Sequence, residues 1–188
     1  MKLVFATNNL HKLEEVRMIL PPTYTILSLS DIDCHEDIAE TGTTLEENSL
    51  LKAQYIWDKY GLDCFADDTG LEVEALGGRP GVYSARYAGD PCTPAENRQK
   101  LLYELQGITN RKARFRTVVT LIRGGHVQQV DGEVNGRILE QESGSAGFGY
   151  DSLFVPDGYD LSFACLGEAV KNTISHRGRA IQKLLTIL

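Results

Sequence analysis

Two adjacent carboxylates interrupt an apolar stretch in the first half of this chain. Asp63-Cys64-Phe65 leads into Ala66-Asp67-Asp68-Thr69-Gly70, and Leu71-Glu72-Val73 follows. No other stretch constrains the fold as strongly. A carboxylate leaves water only if it is hydrogen-bonded, paired or bound to a cation, so the fold must bring counter-charges to this point. Gly70 admits a sharp turn without a Cβ penalty. Two readings follow. One is an Asp-Asp-Thr-Gly turn in which the Asp side chains cap their own backbone. The other is a divalent-metal or general-base site. On local grounds the turn is favoured, and the rest of the chain has to decide.

With 188 residues the chain holds one large domain, or two lobes sharing a core. No apolar run approaches the roughly 20 residues that span a bilayer. The short run Leu3-Val4-Phe5-Ala6 is too brief for a signal peptide and reads as a first strand. Cys34, Cys64, Cys92 and Cys165 show no metal-type spacing, which predicts free thiols in a reducing cytoplasm. A formal net charge of −7 argues against a surface that coats nucleic acid. A small polyanion stays compatible where positive charge is local or a metal supplies it.

After the first strand, Thr7-Asn8-Asn9 is a polar turn, and Leu13, Val16 and Leu20 form a helical stripe stopped by Pro21-Pro22. The stretch Thr7 to Lys12 therefore feeds a helix N-terminus, a junction suited to phosphate, with Lys12 adding a full charge. An Asn cap with a solvated Lys fits equally well. A second strand is expected over residues 23–32. Thr43 with Glu46 reads as a capping box opening a helix, on which Asn48 and Lys52 share one face and Glu40 lies just ahead.

Leu71 to Leu76 reads as a strand, and Gly77-Gly78-Arg79-Pro80-Gly81 as a loop. Thr93-Pro94-Ala95-Glu96 opens a helix to about Gln106. Ala113 to Arg123 is a strand that turns at Gly124-Gly125 into a partner over 127–140, with Gly132 and Gly136 as candidate bulges.

Two late motifs remain. In Gly147-Phe148-Gly149-Tyr150-Asp151, Phe148 either plugs the core or stacks on a flat ligand for which Asp151 accepts hydrogen bonds. Lys171, His176 and Arg177 gather basic groups at an expected helix start, with Ser175 as candidate cap. Cations are unfavourable at that end of a helix dipole, so an electron-rich ligand is one reason for them; solvated side chains are the other.

Taken together, Thr7-Asn8-Asn9-Leu10-His11-Lys12, Glu40 to Lys52, Ala66 to Leu71, Gly77 to Gly81 with Ser84 to Tyr87, Phe148 to Asp151, and Ser175 to Gly178 resemble the inosine triphosphate pyrophosphatase (Ham1-like) family. The similarity runs in order from residue 3 to about 184. It implies an α/β fold with a long curved mixed sheet, flanking helices, and two lobes around a nucleotide cleft, within one domain over 1–188. It also implies a homodimer that uses Mg²⁺; the charge balance and the lack of a spanning apolar run lead us to expect neither nucleic acid nor membrane as partner. The implied reaction converts ITP, dITP or XTP to the monophosphate and pyrophosphate.

Residue by residue, Thr7, Asn8, Asn9, Leu10, His11 and Lys12 match the family's phosphate turn, and Lys52 a further phosphate contact. Glu40 and Asp68 match its metal-associated carboxylates. Asp68 is the implied base and Asp67 its support, with Thr69 beside them. Phe148, Gly149, Tyr150, Asp151, Lys171, His176 and Arg177 match its base pocket. His176 and Arg177 are expected to donate to O6 of the base, and Asp151 to accept from the ring N–H. Adenine presents the opposite pattern, and a site left with unpaired buried groups rejects such a misfit by roughly 10⁴-fold. Ser49, Ser152 and Cys165 depart from the residues usual in that family. Two rival readings are a related nucleotide pyrophosphatase of Maf type and a catalytically silent nucleotide binder. The retained Glu40, Asp67 and Asp68 speak against the second.

Overall fold

The computed structural model describes residues 1–188. In chain order the elements are β1 (Lys2–Phe5), α1 (Leu10–Ile19), β2 (Thr25–Leu27), α2 (Leu45–Tyr60), β3 (Cys64–Val73), β4 (Pro80–Gly81), α3 (Pro94–Glu104), β5 (Lys112–Arg123), β6 (His126–Ile138), β7 (Phe154–Pro156), α4 (Phe163–Leu166), α5 (Glu168–Ile174) and α6 (His176–Leu185). The strands form a mixed sheet in the order β2-β1-β3-β5-β6-β7, with β4 beside β3. β1 runs parallel to β2 and β3, whereas β4 on β3 and β7 on β6 are antiparallel. The fold is α/β, a mixed sheet flanked by helices. None of those helices is long and apolar enough to cross a membrane.

The chain divides into two compact units. The first comprises Met1–Asp68, Thr117–Gly132 and Arg177–Leu188, and the second Thr69–Arg116 and Glu133–His176. In the first unit, strand alternation sorts side chains onto two faces. Leu3, Phe5 and Phe65 turn to one face and pack with Leu13 and Val16 of α1 and with Ala180, Ile181 and Leu184 of α6. Val4, Ala6, Cys64 and Ala66 turn to the other and pack with Ala53 and Ile56 of α2. Phe5 and Phe65 stack at 4.6 Å, with their planes 8° apart. Each such fully buried side chain contributes roughly 1.5–3 kcal/mol.

The second unit closes around Leu71, Val73, Leu101, Leu105, Phe115, Leu153, Phe154 and Phe163. Its helix α3 starts as the sequence predicts. Thr93 accepts from Glu96 N–H, the Glu96 carboxylate returns to Thr93, and Pro94 fills the first turn.

Several local expectations are corrected. Ala66-Asp67-Asp68-Thr69-Gly70 is no turn; it is the middle of β3. Gly70 is needed for a close approach instead, because a Cβ there would sit 2.6 Å from the Gly81 carbonyl oxygen of β4. Helix α2 begins one residue later than the predicted capping box. Thr44 is the cap, accepting from Glu47 N–H, and Glu47 accepts in turn from Thr43 N–H at 2.6 Å. The expected strand over 23–32 shortens to Thr25–Leu27, and the strand over 71–76 stops at Val73, where a single 3-10 turn (74–76) follows. Gly136 sits in unbroken register opposite Pro156, so it marks a close approach of β7 and no bulge.

Candidate functional site

In the first unit the two aspartates of β3 are separated by the alternation that sorts the core. Asp67 follows Phe65 onto the face of α1 and α6; Asp68 follows Ala66 onto the face of α2. Asp67 is 1% exposed, and its Oδ1 accepts from Lys12 Nζ at 3.1 Å. Its Oδ2 accepts from Arg177 Nε at 3.2 Å. Burial opposes ionisation of Asp67, but Lys12, Arg177 and Lys52 outweigh it and hold the carboxyl far below the usual carboxylate range.

Arg177 is itself buried and pairs through Nη1 with Glu15. Sequence reasoning missed Glu15. The signal was a charged residue inside the apolar stripe Leu13, Val16, Leu20.

The opposite face is built by α2. Asn48 and Lys52 stand four residues apart on it, both buried. Lys52 Nζ donates to the Asp67 carbonyl at 2.7 Å and pairs with Glu40. Asn48 Oδ1 accepts from Gly42 N–H at 2.8 Å, which ties the loop behind Glu40 to the helix. Asp68 lies among these groups, 6% exposed. Burial raises its carboxyl to about 6; Lys52 pulls against that rise and Glu40 adds to it, while the Asn48 amide favours the ionised form. The lysine's ammonium is held above its ordinary range because Asp67, Glu40 and Asp68 outweigh its burial.

The polar turn expected ahead of α1 is formed. Thr7 Oγ1 accepts from Asn9 N–H at 3.1 Å, and Asn9 Oδ1 accepts from Lys12 N–H at 3.2 Å, capping α1. Thr7 and Lys12 are half-buried, whereas Asn8, Leu10 and His11 are exposed. Asn8, Leu10 and His11 lie at the surface around the start of α1.

Within the second unit, Phe148 is half-buried and stands outside the apolar core, so it is no core plug. Lys171 Nζ lies 4.6 Å from its ring centre and bonds Asp151 Oδ2 at 2.7 Å. The same oxygen accepts from Phe148 N–H at 3.0 Å. Gly147 has φ +76° and abuts the Asp151 carboxylate, so no side chain fits there. His176 stacks on Phe115 at 4.6 Å, 17° from parallel. Thr69 is half-buried on β3.

Arg177, expected at the base, falls in the first unit and pairs with Asp67 and Glu15. Two other placements differ from the sequence reading. Tyr150 is a core residue whose hydroxyl donates to the Ser84 carbonyl at 2.7 Å, so its ring is not offered to a ligand. Lys171 is in the last turn of α5, where a helix dipole favours a cation, and not at a helix start.

The chain is similar to known proteins over nearly its whole length. The Ham1 family matches residues 3–187. A dITP/XTP pyrophosphatase of Flavobacterium johnsoniae is 53% identical over 188 residues, covering 100% of this chain and 98% of that protein. A dITP/XTP pyrophosphatase of Porphyromonas gingivalis is 52% identical, covering 100% and 97%. Among solved structures, a HAM1 protein from Coxiella burnetii superposes with a TM-score of 0.91 at 35% identity, covering 100% of this chain and 98% of that one.

Proposed function

The chain belongs to the Ham1 family, and from that premise we propose that it hydrolyses dITP, XTP and ITP to the nucleoside monophosphate and pyrophosphate. It is a nucleoside triphosphate pyrophosphatase, and the reaction removes purine nucleotides with non-standard bases before they enter DNA or RNA. The observation that carries this reading is the unequal pair on β3. Asp67 is locked as an anion between two cations, while Asp68 sits near neutrality among Lys52, Glu40 and Asn48.

Asp68 is the group suited to take a proton from water at working pH, since a general base acts best with a pKa near the pH of use. Oxygen of that water bonds to phosphorus as the anhydride bond between the α- and β-phosphates breaks, and pyrophosphate leaves. Lys12, Lys52 and the N-terminus of α1 offset the charge that develops on it. Asp67 positions Lys12 and Arg177 rather than reacting. Thr7 to Lys12 form the phosphate turn, with Thr69 a further contact.

Mg²⁺ fits Glu40 and Asp68, two carboxylates close enough for the Glu40 charge to push the Asp68 pKa up. No group of three or more His, Cys, Asp or Glu side chains gathers as a full ligand set. Mg²⁺ asks for none, since it takes one or two carboxylates and completes its shell with water and substrate phosphate. When bound, it supplies charge neutralisation and polarises a phosphoryl oxygen. Phe148, Gly149, Asp151, Lys171 and His176 are assigned to the purine, with the Phe148 ring as a stacking face. The protein acts as a homodimer in the cytoplasm.

The test is pyrophosphate release from dITP, XTP, ITP, ATP and GTP, with and without Mg²⁺. Release from the first three, dependent on Mg²⁺, is expected. Equal turnover of ATP and ITP would sink the base assignment, and no pyrophosphate from any purine nucleotide would sink the enzyme reading.

A further inference from the structure

The loop bearing Phe148 is braced by a side chain from α3 that the sequence reading passed over. Arg98 Nη1 donates to the Gly149 carbonyl at 2.9 Å. Its Nε pairs with the Glu142 carboxylate. The same Glu142 oxygen accepts from Ser152 Oγ at 2.7 Å. Ser143 N–H donates to the Ser152 carbonyl at 2.8 Å, so the neck of the loop is closed at the level of this triad. Ser162 Oγ then donates to the Ser143 carbonyl at 2.6 Å. The crown of the loop is thus tied to a helix through Gly149, one residue past Phe148 and two before Asp151. A guanidinium holds two acceptors in fixed, coplanar directions, which an ammonium cannot do. The Ser152 hydroxyl and Arg98 also keep Glu142 ionised, below its ordinary carboxylate range.

We propose that Arg98, acting with Glu142 and Ser152, is a positioning residue for base selection. It fixes the Gly147-Phe148-Gly149 turn and thereby sets where the Phe148 ring and the Asp151 carboxylate meet the purine. This rests on the assignment of Phe148 and Asp151 to base recognition. All three bracing residues lie in the second unit, as do Phe148 and Asp151.

The test compares Arg98→Met, Arg98→Lys and Ser152→Ala with Arg114→Met. Arg114 pairs with Glu72 and Glu133 in the same unit, so its removal controls for the loss of an arginine ion pair. kcat and KM are measured for ITP and for ATP. For Arg98→Met, KM for ITP is expected to rise about tenfold with kcat nearly kept, and the ITP-to-ATP ratio of kcat/KM to narrow about tenfold, as for one lost charge-assisted hydrogen bond. Arg98→Lys should recover part of the ratio, Ser152→Ala should narrow it about threefold, and Arg114→Met should leave it at the wild-type value. An unchanged ratio in Arg98→Met overturns the proposal, as does equal narrowing in Arg114→Met. Should Arg98→Met not fold, an unchanged ratio in Ser152→Ala overturns it. If the wild type turns over ATP and ITP equally, the base-recognition reading falls and takes this inference with it. A discriminating wild type with unaffected variants sinks the inference alone.

Discussion

Asp67 and Asp68 are neighbours in sequence with opposite chemical lives, because β3 points one toward two cations and the other toward a carboxylate. Asp68→Asn is expected to lose turnover by at least a hundredfold while nucleotide affinity stays within about tenfold, the pattern of a group acting in the transition state. Binding and single-turnover measurements separate the two effects. The same substitution should stabilise the protein without metal. Folding raises the Asp68 carboxyl from 3.8 to about 6. Its contribution to stability is therefore full below 3.8 and is lost as pH rises through 6. Asp68→Asn should gain up to roughly 3 kcal/mol at pH 8, and the gain should vanish near pH 4 in denaturant melts. Asp67→Asn should do the reverse, costing roughly 3–5 kcal/mol at pH 7, since it leaves Arg177 and Lys12 buried with less counter-charge. The demand for counter-charges was legible at the Asp pair. Their source was not: Lys12 was assigned to the phosphate and Arg177 to the base, and both also pair with Asp67. A side chain 110 residues away declares no partner in the sequence.

At the scale of elements, α2 is the piece that carries Asn48 and Lys52 to Asp68, and its registration on the sheet is polar. Ser49 Oγ and Thr120 Oγ1 of β5 lie 2.6 Å apart in the interior, and Gln129 Nε2 of β6 donates to Thr120 at 2.8 Å. Thr120→Val should cost about 0.5–1.5 kcal/mol, since Ser49 and Gln129 each lose one partner but keep the Glu46 carbonyl, and Ser49→Ala should recover part of that loss. A double-mutant cycle read by chemical denaturation checks the coupling. Long periodic elements such as β5 and α3 were legible because pattern and caps agreed. β3 was misread as a turn because Asp, Thr and Gly are turn residues on local grounds. Here paired charges and the approach of β4 override that preference. Helix α5 was missed because its seven residues are too few to show a period, and Lys171 was consequently put at the wrong end of a helix.

For the molecule as a whole, sedimentation should report two chains per particle across micromolar concentrations; a monomer throughout would remove the homodimer. The first unit is assembled from three stretches, the last of them beginning at Arg177. On a ribosome, then, Asp67 and Glu15 emerge long before the guanidinium that pairs with both. Through that interval β1, α1 and β3 can collapse on their apolar faces, but the carboxylate pair stays unbalanced and solvated. A chain released before residue 177 carries every group assigned to proton transfer and still lacks one of the two cations paired with Asp67 and the guanidinium paired with Glu15. The charge balance around Asp67 is in this sense a late product of translation, completed only when the last stretch of the chain arrives.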